Sequence, residues 1–245
     1  MTKHYIVLSS SYSLGTRIAY DFVGFSSESL SIITGFMERL KKECGDDVSV
    51  SLHSIESKNQ SWASVGEADP FFKDVKIIDS EERFISLIKK DRKLSGLDVA
   101  KYILSVVDNC THLKLEKLVY LCYADFLCAE KEKLFEDKIF AYRYGPVVKS
   151  VYDYYKSYAG DLITEKEMPK SDSFLSIRSR ILFSAGGLKK LSSIIDTLSK
   201  YQSLSAGSLI DLTHRKGSPW AHSDSTKIDF LISDESICKY HVNEK

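Results

Sequence analysis

The chain has no basic run, no cysteine pair at CxxC spacing and no apolar stretch that approaches a membrane span. Each absence removes a class. Its 34 basic and 34 acidic residues cancel, and the balance stays even on both sides of Ser95. The electrostatic footprint of a nucleic-acid binder is therefore missing. The five cysteines, Cys44, Cys110, Cys122, Cys128 and Cys238, are odd in number. None is spaced for a metal site, which predicts a reduced, intracellular protein whose cysteines pack. The apolar run Tyr5–Leu8 is too short for a secretory signal. A cytoplasmic location with no membrane partner is expected.

Catalytic signatures are missing as well. Ser9–Gly15 holds one glycine and no Gly-Lys-Ser/Thr, whereas a phosphate loop needs several backbone N–H groups bared by glycine. No GxSxG is present, and Cys122 sits on an apolar helical face, so no nucleophile with a base and oxyanion hole emerges. The six histidines show neither HExxH nor HxH spacing. His214 and His222, with Asp211, flank the loop Gly217–Trp220 and come nearest to a shared site. The favoured reading is that His214 simply ends a helix, where a cationic or donor side chain is favourable. Glu165 and Glu167 are the nearest pair of loop carboxylates and read as solvated. No cofactor, metal or catalytic residue is expected.

What the chain does have is order along its length. A strand is expected at His4–Ser9, followed by a serine-rich loop to Gly15. Leu30, Ile33, Phe36, Met37 and Leu40 repeat at helical spacing, with Ser26 or Ser27 as cap and Gly45 as stop. Val48, Val50 and Leu52 alternate as in a half-buried strand. Ser57–Asp69 reads as a loop, and Lys76–Asp79 as a short strand. Ser80 caps a helix to about Lys90, with acids in its first turn and lysines in its last. The segment Lys90–Gly96 is then the expected domain boundary, which gives a small α/β unit over 1–93 and a mostly helical domain over 94–245. The fold class is α+β.

In the second part, Leu97, Ala100, Ile103, Leu104 and Val107 make an amphipathic helix. Thr111 caps the next, whose stripe is Leu115, Leu118, Val119, Cys122 and Phe126. The charged residues Lys131–Lys133 and Glu136–Lys138 mark a surface turn. Gly145-Pro146 stops the chain, and a helix restarting at Pro146 is expected, since proline suits a first helical position. Val147, Val148, Val151, Tyr152 and Tyr155 form its buried stripe, so the stretch reads as a helical hairpin with an aromatic hinge. Ile163–Leu175 shows little periodicity. A helix over Leu188–Tyr201 buries Leu191, Ile194, Ile195, Leu198 and Tyr201, and Ser205 caps a short one after it. A strand is possible at Ile228–Ile232.

The tyrosines stand out. Tyr142, Tyr144, Tyr152, Tyr154, Tyr155 and Tyr158 crowd together with Arg143 among them. Tyrosine and arginine are enriched at protein–protein hot spots because each joins a large contact area to a polar tip. Tyr152 and Tyr155 go with the buried valines, which leaves Tyr142, Tyr144, Tyr154 and Tyr158 for exposure. Base stacking is the competing use of exposed aromatics, and the neutral surroundings argue against it.

These pieces resemble a known family. LDVAKYILS, LKLEKLVYLCYADFL, LFEDKIFAYRYGPVVKSVYDYY and LIDLTHRKGSPW follow the order and spacing of the Panacea, or SocA-like, domain over about residues 97–222. The telling elements are Leu115-x-Lys117-Leu118-x-Tyr120, the approach from Phe135 to Tyr144-Gly145-Pro146-Val147, and Leu212-Thr213-His214 followed by Pro219-Trp220. One departure is Tyr142, where the family usually has a tryptophan. The resemblance implies a bacterial or phage antitoxin without catalysis, which neutralises a cognate toxin by direct contact. It also implies an alternative, a proteolytic adaptor whose further partner is a protease or chaperone; an enzyme built on the N-terminal unit is the third reading. Under the first, Tyr142, Arg143, Tyr144, Gly145, Pro146, Tyr154, Tyr158 and Trp220 are the expected partner-binding residues.

Overall fold

A computed structural model describes residues 1–24, 30–164, 172–223 and 230–244. By internal packing the chain divides into two compact units, Met1–Lys93 with Phe183–Ala185, and Leu94–Leu182 with Gly186–Lys245. The fold class is α+β, with a sheet-containing first part and a mostly helical second part.

The first unit is built on a hairpin. β1 (Thr2–Ser11) pairs antiparallel with β2 (Thr16–Val23), from His4 opposite Val23 to Ser11 opposite Thr16. After α1 (Leu30–Cys44) the chain returns as β3 (Ser51–Ser57), passes through α2 (Trp62–Ala68), adds β4 (Lys76–Ile77) and ends on α3 (Glu81–Asp91). The strand order is β3-β1-β2-β4. Alternation along β1 sends Val7 to one face, where α1 and α3 supply Ile33, Phe36, Leu40, Phe84 and Ile88. Ile6 and Leu8 go to the other, against Val65, Phe72 and Val75.

Three expectations fail in this unit. β2 was not anticipated: Gly15, at φ +63°, closes a tight turn with its N–H on the Tyr12 carbonyl, so the serine run belongs to a hairpin. The strand expected from Val48 begins only at Ser51, and Leu52 is half exposed. Ser57–Asp69 contains α2, capped by the Ser61 side chain on the Ser64 N–H, with Val65 and Gly66 buried. A seven-residue helix with one large buried aliphatic leaves no period to see. The cap at Ser80 and the stop at Gly45 are as the sequence suggests, while Ser26 and Ser27 lie outside the described residues.

The second unit opens with α4 (Gly96–Val106), on which Ser95 and Asp98 form a reciprocal capping box. α5 (His112–Glu130) follows, capped by Thr111. Then come β5 (Ile139–Tyr142), β6 (Gly145–Val148), α6 (Lys149–Tyr155), α7 (Asp172–Leu182), α8 (Gly187–Tyr201), α9 (Ala206–Thr213), β7 (Phe230–Ile232) and α10 (Asp234–Tyr240). A 3₁₀ turn over His241–Glu244 comes last. The strands form a small antiparallel sheet in the order β6-β5-β7. α5 is its organising element: every residue from Leu115 to Leu127 is buried, because α4, α6, α8, α9, α10 and β6 pack around it.

The expected single apolar stripe on α5 is therefore too narrow. The helix restart at Pro146 is also wrong. Gly145 at φ +103° closes a β-turn, Pro146 faces Ala141 in β6, and α6 begins at Lys149. Proline has no N–H to give a ladder, and β6 is an edge strand, where that loss is harmless. The expected helical hairpin is thus two helices separated by a β-hairpin. On α8, Ile195 faces solvent at 44 % exposure instead of joining the core. α7 begins at Asp172, inside the stretch expected to be irregular; residues 165–171 of that stretch, with Glu165 and Glu167, lie outside the described residues, as do 228 and 229 before β7.

Candidate partner-binding site

The site begins with a buried lysine. Lys117 is fully buried on α5, and its Nζ donates to the Pro146 carbonyl at 2.7 Å. Burial pulls its pKa down to about 7, with Glu116 and Glu244 opposing that fall. Its neighbour Glu116, also fully buried and pushed up by burial, accepts the Val148 N–H at 3.1 Å through Oε2. Its other oxygen lies 3.4 Å from His112 Nε2. Two adjacent side chains of α5 thus hold the backbone of β6 at both ends.

The turn joining β5 to β6 is held from the opposite side by the segment after α9. Trp220 Nε1 donates to the Tyr142 carbonyl at 2.8 Å, and His214 Nε2 lies 3.4 Å from the Arg143 carbonyl. The His214 and Trp220 rings pack with centroids 3.7 Å apart. Ser218 braces this loop, donating to the Thr213 carbonyl at 2.8 Å and accepting the Ala221 N–H at 3.1 Å. Gly145 sits where the two supports meet. A Cβ there would fall 2.9 Å from both Lys117 Nζ and Thr213 Oγ1, so glycine is required for space as well as for its positive φ.

Against this frame the expected partner residues separate into groups. Arg143, Tyr144 and Tyr154 are exposed, the tyrosines to 52 % and 48 %. The Arg143 guanidinium stands 5.4 Å from the Tyr144 ring centroid. Tyr142, Tyr158 and Trp220 are half-buried, and Gly145 and Pro146 are buried. Tyr142 packs edge-on against Tyr152 at 5.0 Å and accepts from Lys149 Nζ at 3.3 Å. Tyr152, expected in the core, is half-buried between Tyr142 and His112. Tyr154 lies edge-on to the fully buried Tyr155 at 4.8 Å. The alternation of Phe140, Tyr142 and Tyr144 against Ala141 and Arg143 predicts that the side bearing Arg143 faces outward. On β5 the opposite holds, with Ala141 buried and Phe140 and Tyr142 toward the surface, and Arg143 is exposed because it has left the strand for the turn.

The other histidine expectation dissolves. His214 turns to Trp220, whereas His222 stacks on Tyr240 at 3.7 Å. What sequence reasoning missed is deeper. Asp125 on α5 accepts from His241 Nε2 at 2.8 Å and from Thr197 at 2.9 Å. His241 Nδ1 lies 2.6 Å from Glu244, which also accepts from Tyr120 at 2.9 Å. Burial alone would raise the Asp125 carboxyl, but the His241 hydrogen bond and charge, with Thr197 and Lys200, bring it down to about 2. Burial would lower His241; its two carboxylates outweigh that and raise it. The only signal in the sequence was three charges, Glu116, Lys117 and Asp125, inside a helix apolar on every side.

In the first unit, His4 is fully buried, with Nδ1 2.7 Å from Asp21 and Nε2 2.9 Å from Ser57 Oγ. Ser57 lines a cleft of about 200 Å³. The distances are those of a Ser-His-Asp relay, but the directions are not. Ser57 donates to the Asn59 carbonyl at 2.6 Å, and His4 Nε2 faces that same carbonyl at 3.2 Å. The N–H groups of Lys58 and Asn59 are taken by Ser64 Oγ. A hydroxyl committed to the Asn59 carbonyl, beside N–H groups committed to Ser64, is placed to pin a strand end.

The frame runs from α5 to Trp220, and the comparison with known families covers the same stretch. Residues 115–221 match the family model described as antitoxin SocA-like, Panacea domain. No curated protein and no solved structure matches the chain. Lys117, Gly145, Thr213 and Trp220 all fall within the Panacea match, so the residues that build the turn lie inside it. The match supports an antitoxin-type role. Among the described residues no helix is long and apolar enough to cross a membrane.

Proposed function

We propose that this chain is an antitoxin that neutralises a cognate toxin by direct protein contact in a bacterial or phage toxin–antitoxin system, with Arg143, Tyr144 and Tyr154 at the centre of the contact. The observation that carries the reading is the Panacea match over residues 115–221. The geometry adds why this surface suits it. An exposed arginine and two exposed tyrosines stand on a turn and a helix whose backbone is fixed from beneath by Lys117 and Glu116 and from the side by Trp220. Rigid aromatic anchors lose little conformational freedom on binding, which favours affinity. Gly145 and Pro146 shape the turn without offering side-chain surface. Residues 94–245 are the toxin-binding domain in this proposal, and 1–93 is an accessory unit.

The test uses the product of an adjacent small reading frame. It should arrest growth when expressed alone and not when expressed with this protein, and the two should copurify. Arrest that persists in the presence of this protein would refute neutralisation. The toxin's level in rescued cells separates contact from delivery to a protease: an unchanged level supports blocking, and a falling one the adaptor reading.

A further inference from the structure

Two of the five cysteines face each other across one helix contact. Cys128, near the end of α5, places its Sγ 3.7 Å from the carbonyl of Ile237, the residue just before Cys238. Cys238, on α10, places its own Sγ 3.9 Å from the carbonyl of Leu127, the residue just before Cys128. The arrangement is reciprocal, so each thiol lies over the backbone step that carries the other. Both residues are part-exposed, whereas Cys44, Cys110 and Cys122 are buried. Burial pushes the Cys110 thiol up to about 12 and raises Cys44 and Cys122 as well, which leaves those three protonated and inert.

We propose that Cys128 and Cys238 are a redox-responsive pair that closes to a disulfide, stapling α10 to α5, by exchange with a low-molecular-weight disulfide. One thiol loses its proton, and its sulfur attacks the small disulfide, forming a mixed disulfide and releasing one small thiol. The second cysteine's thiolate then attacks the protein-bound sulfur and releases the other small thiol. Two cysteine thiols are oxidised and one disulfide is reduced to two thiols. The staple bears on the buried network, because α10 runs straight into His241 and Glu244, which reach Asp125 and Tyr120. Tyr123 already ties the start of α10 to α5 by donating to Asp234 at 2.8 Å. Closing the pair fixes a later point of the same helix.

The experiment treats the full-length reduced protein with glutathione disulfide, reads the melting temperature of one portion, unfolds another in iodoacetamide to block the remaining thiols, and maps its peptides by mass spectrometry without reduction. The expected product is a monomer in which the Cys128 and Cys238 peptides are joined, the other three cysteines are alkylated, and the melting temperature is raised. Dithiothreitol added before the alkylation step should remove both the link and the rise in melting temperature. In Cys128→Ser and Cys238→Ser, the remaining partner should stop as the glutathione adduct, with no rise in melting temperature. An unchanged wild type, a wild type bearing only glutathione adducts, a different pairing or a dimer linked through these residues would each overturn the proposal. So would a Cys128–Cys238 link that forms equally well in denaturant.

Discussion

The inner and outer faces of the hairpin formed by β5 and β6 carry opposite chemistry. Beneath it lie charges that water never reaches: Lys117 and Glu116 spend their hydrogen bonds on the backbone of Pro146 and Val148. Outside it, Arg143 and Tyr144 are exposed, with the guanidinium 5.4 Å from the ring centroid. Buried polar groups are costly unless every partner is in place, so they fix a single backbone path. Exposed aromatics cost the fold little and remain available. The difference teaches that in this domain buried charge fixes the backbone while large aromatics stand in solvent, the reverse of a first guess from composition. Substitutions on the two faces should therefore separate into stability effects and binding effects.

The largest effects belong to the inner face. Lys117→Ala removes the donor to Pro146 and leaves a cavity where a fully buried side chain stood. Truncating a long buried side chain in this way costs about 2 to 5 kcal/mol, read as a fall in the urea midpoint. Lys117→Met keeps the volume and should cost clearly less, because a well-packed apolar replacement relieves desolvation. If the two variants are equally destabilised, the loss comes from the missing ammonium and not from volume, and the expected relief of desolvation fails. Leu118→Ala, beside it, should lose about 2 to 5 kcal/mol through the cavity left behind.

Next comes the pH dependence of the network around Asp125. Its folded pKa of about 2 lies below its ordinary value, so its contribution is present above pH 4 and fades as pH falls toward 2. The His241 pKa is raised above 6.5, so its contribution is complete below 6.5 and is lost as pH climbs through the folded value. Glu244, raised above 4.5 by burial, contributes fully below 4.5 and loses that contribution as pH climbs through its own folded value. Stability from this network should be greatest just above pH 4 and fall on either side, with the acid loss on the order of 2 kcal/mol. Asp125→Asn should flatten the acid limb of denaturation midpoints measured across pH. A limb of unchanged steepness would place the acid sensitivity elsewhere.

How much of this was legible follows from the same physics. Helices with one wet face announce themselves by period, which is why α1, α3, α4 and α8 were placed within a few residues. The caps Ser80, Thr111 and Ser205 could be named because a side chain on its own backbone is local chemistry. α2 was hidden because a seven-residue helix carries too few apolar positions to reveal a period, and β2 because Ile18, Ala19, Tyr20, Phe22 and Val23 do not alternate with polar residues. Gly145-Pro146 misled because proline suits the start of a helix and an edge strand alike, and only the pairing with Ala141 decides. The exposed tyrosines were legible from their crowding. Lys117 was legible only as a letter in a pattern, since nothing local says that a lysine will be wrapped on all sides by elements distant in sequence.

Gly145→Ala tests where the two faces meet. The residue must hold φ +103° and would set its Cβ against Lys117 Nζ and Thr213 Oγ1. A strained backbone of this kind costs about 1 to 3 kcal/mol. The turn should shift with it, so toxin binding should weaken together with stability. A variant that loses binding at full stability would make Gly145 itself part of the contact.

The smallest effect on stability should come from the outer face, and it decides the function. Arg143 is exposed, and its neighbour Tyr144 keeps half its surface in water. Arg143→Ala and Tyr144→Ala each remove little packing and should move the denaturation midpoint by no more than about 0.5 kcal/mol. Truncating a hot-spot residue, by contrast, typically costs about 2 kcal/mol or more of binding, at least about tenfold in affinity. Calorimetric titration against the growth-arresting partner should therefore show a large loss where thermal melting shows almost none. Tyr154→Ala, on α6, should behave in the same way. Should both turn variants bind and neutralise as the parent does, the exposed turn is not the contact, and the search for it moves to the unit formed by residues 1–93.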